Sequence, residues 1–220
     1  MGEMIRLTAD DGHQLDAYQA APDGAPKAGM LILQEIFGVT DHIKRVTDGY
    51  AAHGYLALAP ALFDRVAPNI ALDYADIEQG RDTMLKLEPD NAVKDMAAAV
   101  EHLESAGAVA AVGYCWGGAM AYLAACRLPV QAAVSYYGGQ IARFLEETPT
   151  CPVMYHFGAD DAHIPMSVVD DIKAARPEGV FHVYEGAGHG FNCDDRPDYR
   201  PDSAALALER SLEFLARHLS

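Results

Sequence analysis

Cys115 lies in Gly113-Tyr114-Cys115-Trp116-Gly117, a G-x-C-x-G pentapeptide between an apolar run and an alanine-rich one. That is the setting of a nucleophile elbow, a sharp strand-to-helix turn that lifts a reactive side chain above a sheet. The backbone of the nucleophile is strained there and the chain crosses closely, so the flanking positions need glycine. The same turn sets the sulfur at a helix N-terminus, where free N–H groups and the dipole favour a thiolate. The N–H of Trp116 can then donate to an oxyanion. The competing reading is a buried structural cysteine whose glycines only permit tight packing.

A thiol nucleophile needs a base, and the base needs an orienting group. On a nucleophile-elbow scaffold the chain order is nucleophile, acid, histidine. Of nine histidines, His189 stands in Gly186-Ala187-Gly188-His189-Gly190-Phe191, a small-residue loop after the last apolar run. That is where the base is expected. His156 lies within a strand and reads as a core residue, while His163 falls in the loop after it. That loop, Gly158 to Pro165, offers Asp160 and Asp161 as the acid. The spacing G-x-x-D-x-x-x-P selects Asp161, and leaves Asp160 as a turn residue bonding nearby backbone.

The elements that must position these groups alternate. Residues 5–9 and 14–20 read as strands around the hairpin turn Asp10-Asp11-Gly12. Residues 30–34, 55–59, 109–114, 132–136, 153–157 and 180–184 are short apolar runs, the pattern of strands buried on both faces. Asp41 is expected to cap a helix running to about His53 and ended by Gly54. Residues 62–73 read as irregular. Helices follow near 74–87 and 90–106, separated by Pro89, then from Trp116 to about Arg127, and over 166–176 before Pro177. A final amphipathic helix over 203–218 offers Leu206, Leu208, Leu212, Phe214 and Leu215 to the sheet. Alternating βα units predict a mostly parallel sheet with helices on both faces, and sites at the carboxyl ends of its strands. No linker interrupts the pattern, so one domain over residues 1–220 is expected.

Composition narrows the class. Half of the 220 residues are apolar and 22% are charged, which excludes a disordered chain. No run approaches the roughly 20 apolar residues of a membrane span. The net charge of −16 gives no bulk attraction to nucleic acid or anionic membranes. The first residues show no basic segment followed by an apolar one, so a cytoplasmic protein with reduced thiols is expected. The four cysteines include no C-x-x-C pair, so neither a metal nor a cofactor is expected.

Taken together, the residues resemble the dienelactone hydrolase family, the carboxymethylenebutenolidases, which are cysteine-using members of the α/β-hydrolase fold. The resemblance rests on Gln34-Glu35-Ile36-Phe37-Gly38, on Gly113 through Gly118, on Gly158 through Pro165 and on Gly188-His189-Gly190-Phe191. It covers nearly the whole chain. It implies an α/β-hydrolase without a large lid and a Cys115–His189–Asp161 triad. It implies a role for Glu35 in accepting the thiol proton, and an oxyanion hole from the N–H groups of Ile36 and Trp116. The reaction implied is opening of an ester or enol lactone, a small-molecule substrate. A general carboxylesterase or thioesterase is the alternative, with a thiol redox sensor or binding protein behind it. A cysteine suits enol lactones, because a thiolate leaves more readily than an ordinary alkoxide and the first intermediate of a simple ester tends to revert. Arg81, Phe37 and Tyr137 are the candidate substrate contacts. The family's carboxylate clamp uses two arginines, and the ungapped count puts Gly80 at the first, beside Arg81. The second place, four residues after the histidine, holds Cys193, and the next arginine is Arg196. Monomer and homodimer are equally compatible with the sequence.

Overall fold

The computed structural model describes residues 2–219. Its eight strands share one sheet, in the order β1-β2-β4-β3-β5-β6-β7-β8. Strands β1 (Glu3–Thr8) and β2 (Gln14–Ala20) form the expected hairpin. Its turn closes with the Gly12 N–H on the Ala9 carbonyl, with Gly12 at φ +83°. β2 also runs antiparallel to β4 (Leu56–Pro60). All remaining pairings are parallel: β3 (Gly29–Leu33), β5 (Val109–Tyr114), β6 (Ala132–Tyr136), β7 (Val153–Gly158) and β8 (Val180–Tyr184). Every residue of β3, β5, β6 and β7 is buried, as in a parallel sheet covered on both faces.

The helices are α1 (Asp41–Ala52), α2 (Ile77–Lys86), α3 (Pro89–Leu103), α4 (Trp116–Arg127), α5 (Met166–Ala175) and α6 (Pro201–His218). Pro89 starts α3 rather than merely separating two helices; at the first position its missing N–H costs nothing. The irregular stretch after β4 holds a 3-10 turn over Leu62–Arg65 and a bridge from Ala71 back to Gly38. None of the described helices is long and apolar enough to cross a membrane.

Two expectations are corrected. Thr40, not Asp41, caps α1: its hydroxyl accepts the Ile43 N–H at 3.4 Å, while exposed Asp41 sits in the first turn and pairs with Lys44. In α6 the buried stripe is Ala204, Ala207, Ser211, Phe214 and Leu215, and Leu206 is 40% exposed. The small residues face inward because α6 lies close on the sheet. Ser211 reaches Tyr136 at 2.8 Å and His156 at 3.0 Å. His156 bonds Tyr184 through its other nitrogen at 2.8 Å, so it is a satisfied core residue, as its strand position suggested.

Candidate active site

The carboxyl ends of β3, β5, β6, β7 and β8 lie along one edge of the sheet. Register puts Leu33 beside Gly113, Tyr114 beside Tyr136, and Gly158 beside Tyr184. The segments that leave those ends therefore bring Glu35, Cys115, Tyr137, Asp161 and His189 together.

Cys115 is the turn between β5 and α4, at φ +56° and ψ −117°. Few L-residues adopt that conformation, so the turn stores strain of about 1–3 kcal/mol. Glycines make the turn possible. A Cβ at Gly113 would lie 1.8 Å from the Gly117 carbonyl oxygen, and one at Gly117 would lie 2.3 Å from that of Leu33. The first turn of α4 is thus pressed against β5 and β3, which holds the sulfur at the helix N-terminus. The Cys115 N–H donates to the Tyr136 carbonyl at 3.0 Å and fixes the turn from the neighbouring strand.

The sulfur lies 3.1 Å from His189 Nε2, and His189 Nδ1 lies 2.8 Å from Asp161 Oδ2. Because Nδ1 faces a carboxylate, it carries a hydrogen. The other carboxylate oxygen accepts the N–H groups of His163 at 2.7 Å and Ile164 at 3.1 Å. Asp161 is buried and held by three bonds. Asp160 is exposed, and its backbone N–H donates to the Ala187 carbonyl. Burial works against the imidazolium of His189. The charge of a Cys115 thiolate and the Asp161 carboxylate outweigh it and raise the group to about 10.

The cysteine opens into a cavity of about 550 Å³. Ile36, Trp116, Phe37, Tyr137 and Arg81 all line it. Gly80 is instead buried against this loop: a Cβ there would lie 2.6 Å from the Ile36 carbonyl oxygen. No arginine fits at 80, and Arg81 is the one that faces the cavity. Cys193 is fully buried and does not line the cavity, and burial pushes its thiol up to about 12. Arg196 enters the cavity in its stead. Its guanidinium lies 3.7 Å from Glu35 and over the ring of Tyr74, in space that Gly190 leaves by having no side chain. Glu35 is 1% exposed, and neither carboxylate oxygen has a hydrogen bond. A buried carboxylate that no hydrogen bond satisfies is costly, and such cost is usual at functional sites.

Three contributors were not singled out from sequence. His163 packs edge-on to His189 at 5.1 Å, Tyr74 covers Phe37 and Arg196, and Arg143 lines the outer cavity. Long-range folding brings Tyr74 and Arg143 here, while His163 sits two residues after Asp161 in the acid loop, and no local pattern marks any of the three. Among the described residues, no cluster of three or more His, Cys, Asp or Glu could hold a metal.

A mostly parallel eight-stranded sheet between helices, with a strained strand-to-helix cysteine turn at its carboxyl edge, defines an α/β-hydrolase. A profile of the dienelactone hydrolase family matches residues 15–219. The chain belongs to that family, and is a hydrolase of ester or lactone bonds. It is 36% identical to carboxymethylenebutenolidases of Pseudomonas putida and Pseudomonas knackmussii, each alignment covering 97% of this chain and 96% of the relative. A crystal structure from Klebsiella pneumoniae subsp. pneumoniae MGH 78578, provisionally named a dienelactone hydrolase, superposes with a TM-score of 0.83. It is 29% identical and is covered to 99%, against 97% of this chain.

Proposed function

We propose that the chain opens an enol lactone or activated ester through Cys115, His189 and Asp161, as one α/β-hydrolase domain. The observation that carries this is the unbroken hydrogen-bond chain from Asp161 through His189 to the Cys115 sulfur. The thiolate attacks the carbonyl carbon, forming the S–C bond and a tetrahedral oxyanion. Ile36 and Trp116 line the cavity together with Cys115, and their backbone N–H groups receive that charge in this reading. The C–O bond then breaks, and the leaving oxygen takes its proton from His189 or departs as an enolate. Acylation removes the charge on sulfur, which is the main force holding the imidazole protonated. The imidazole of the thioester therefore gives up its proton more readily and is left neutral, the form that can accept one. It takes a proton from water, whose oxygen attacks the thioester and releases the thiolate. Glu35 is the alternative acceptor of the resting thiol proton.

The cavity also speaks to the substrate's charge. Arg81, Arg143 and Arg196 line it, and no Asp or Glu does. In a chain of net charge −16 that local excess favours an anionic substrate. This accords with the carboxymethylenebutenolidase relatives.

The test is a rate comparison with cis- and trans-dienelactone and an activated aryl ester. Efficient lactone opening supports the reading, aryl-ester cleavage alone moves it to a general carboxylesterase, and silence on all three overturns it. Within the same assay, Asp161→Asn should lower kcat/KM on the order of 10³-fold or more, because an amide no longer holds the imidazole in the tautomer with hydrogen on Nδ1 or stabilises its cation. Asp160→Asn should stay within about threefold, since exposed polar changes away from the site cost little. The reverse ranking would assign the acid to Asp160.

A further inference from the structure

The cavity at Cys115 is larger than a small lactone needs. Its 550 Å³ falls within the roughly 300–1,000 Å³ of sites that enclose drug-sized ligands, and a lactone ring bearing one carboxylate fills only a fraction of that space. Part of the remaining wall is one face of α2. Ile77, Arg81 and Leu85 stand four residues apart in turn, so they share a stripe of that helix, and all three line the cavity. The side of α2 that the fold buries is a neighbouring one, with Gly80, Thr83 and Met84. Leu85 is 67% exposed, the most exposed large apolar side chain among the described residues, and Ile77 is 41% exposed. Single exposed apolar residues are ordinary on a protein surface. Two on one helical stripe, both in the wall of a cavity that reaches a reactive sulfur, mark a surface that a ligand covers. Ile164 and Val168, from the acid loop and the first turn of α5, add to the same apolar wall.

We propose, on the footing of hydrolysis at Cys115, that the substrate is an ester or enol lactone whose acyl part carries a medium-length apolar arm, and that Ile77 and Leu85 select it. The two side chains stand two turns apart, about 12 Å along the helix axis, so a medium-length arm can touch both and an acetyl group cannot. Arg81, between them, can lay its carbon stem along the same arm while its guanidinium stays in water. The arm gains its binding energy by taking these side chains, and itself, out of water. A second copy of the chain is the rival cover for this face. Leu85 is both exposed and part of the cavity wall, so it stands at the mouth, and a neighbouring chain packed on it would obstruct the way to Cys115.

The probes are vinyl acetate, vinyl butyrate, vinyl hexanoate and vinyl octanoate, enol esters that share one leaving group and differ only in the arm. Full burial of a methylene is worth about fourfold and half burial about twofold, so kcat/KM should rise on the order of tenfold from acetate to hexanoate. Leu85→Ser and Ile77→Ser change exposed side chains, so Tm should hold, and each should lower the hexanoate-to-acetate ratio about threefold. Octanoate, titrated calorimetrically into the same proteins, reads the arm without turnover. It should bind more tightly than acetate and lose about threefold in Leu85→Ser. Vinyl ester rates that are flat from acetate to octanoate and indifferent to Leu85→Ser would overturn the arm and leave hydrolysis at Cys115 standing. Octanoate binding that depends on Leu85, with no vinyl ester cleaved, would support the arm site and overturn the hydrolysis instead. A dimer in sedimentation that Leu85→Ser converts to monomer would give the face to a second copy and overturn the proposal.

Discussion

Cys115→Ala should lower ester or lactone hydrolysis on the order of 10⁴-fold or more, the scale on which removing a triad nucleophile acts. The fold should survive, because the residue is only partly buried and its sulfur makes one hydrogen bond, to His189. Cys115→Gly should be as inactive and yet the more stable of the two. At φ +56° and ψ −117° an alanine keeps the strain of the turn, whereas glycine has no Cβ to strain. Relief of 1–3 kcal/mol, less the entropy glycine regains on unfolding, leaves roughly 1 kcal/mol. For a chain of this size that is a Tm roughly 2–4 °C above Cys115→Ala. Melting curves beside the rate assay check both halves. Normal turnover in either variant would remove Cys115 from the chemistry, and a lower Tm for Cys115→Gly would mean that the turn stores no strain.

The largest effect on stability should come from a single methyl group. Gly113→Ala puts a Cβ 1.8 Å from the Gly117 carbonyl oxygen and 2.3 Å from its carbon. These are backbone atoms in the first turn of a helix whose residues from Trp116 to Ala125 are all buried. Neither partner is a flexible side-chain end, so β5 and α4 must separate. The cost should be at least about 3 kcal/mol, the upper part of the range for overpacked cores, or roughly 6–12 °C in Tm. Separation also tilts Cys115 away from His189, so activity should fall further than the folded fraction does. Gly12→Ala is the control, since nothing lies within 4 Å of a Cβ there and its penalty comes only from φ +83°. Denaturant titration of both variants decides the point; equal losses would show that the close approach at Gly113 is not what the helix depends on.

Much of this molecule could be read from its sequence, for a local reason. The buried strands are short, mostly apolar runs, and the elbow, the acid loop and the histidine loop each carry glycines where the chain approaches itself. What escaped depends on distance in the sequence. The inward face of α6 is made of Ala204, Ala207 and Ser211, which a hydrophobic pattern ranks below exposed Leu206. Size, not hydrophobicity, chose that face, because the helix lies close enough for Ser211 to bond Tyr136 and His156. Arg196 was visible as a residue, but its place was not. It reaches Glu35 because the loop after His189 turns back over Gly190, and because Asp194 and Asp195 are held by His42 and Arg45 of α1. Counting residues from the histidine cannot reveal such a path. Thr40 and Asp41 differ by one position, within the usual uncertainty of a helix boundary read from sequence.

The proposed nucleophile and its proposed partners are fastened to the molecule in different ways. Cys115 is wedged between the two central elements, where a methyl group cannot be added. Asp161, His189 and Arg196 ride on segments outside the strands, and two of those segments brace each other through the Asp160 N–H and the Ala187 carbonyl. Selection can therefore lengthen, shorten or recharge the rim while the Cys115 sulfur keeps its coordinates. The reaction is inherited with the core, and the choice of what is admitted to it is left to parts that can be exchanged.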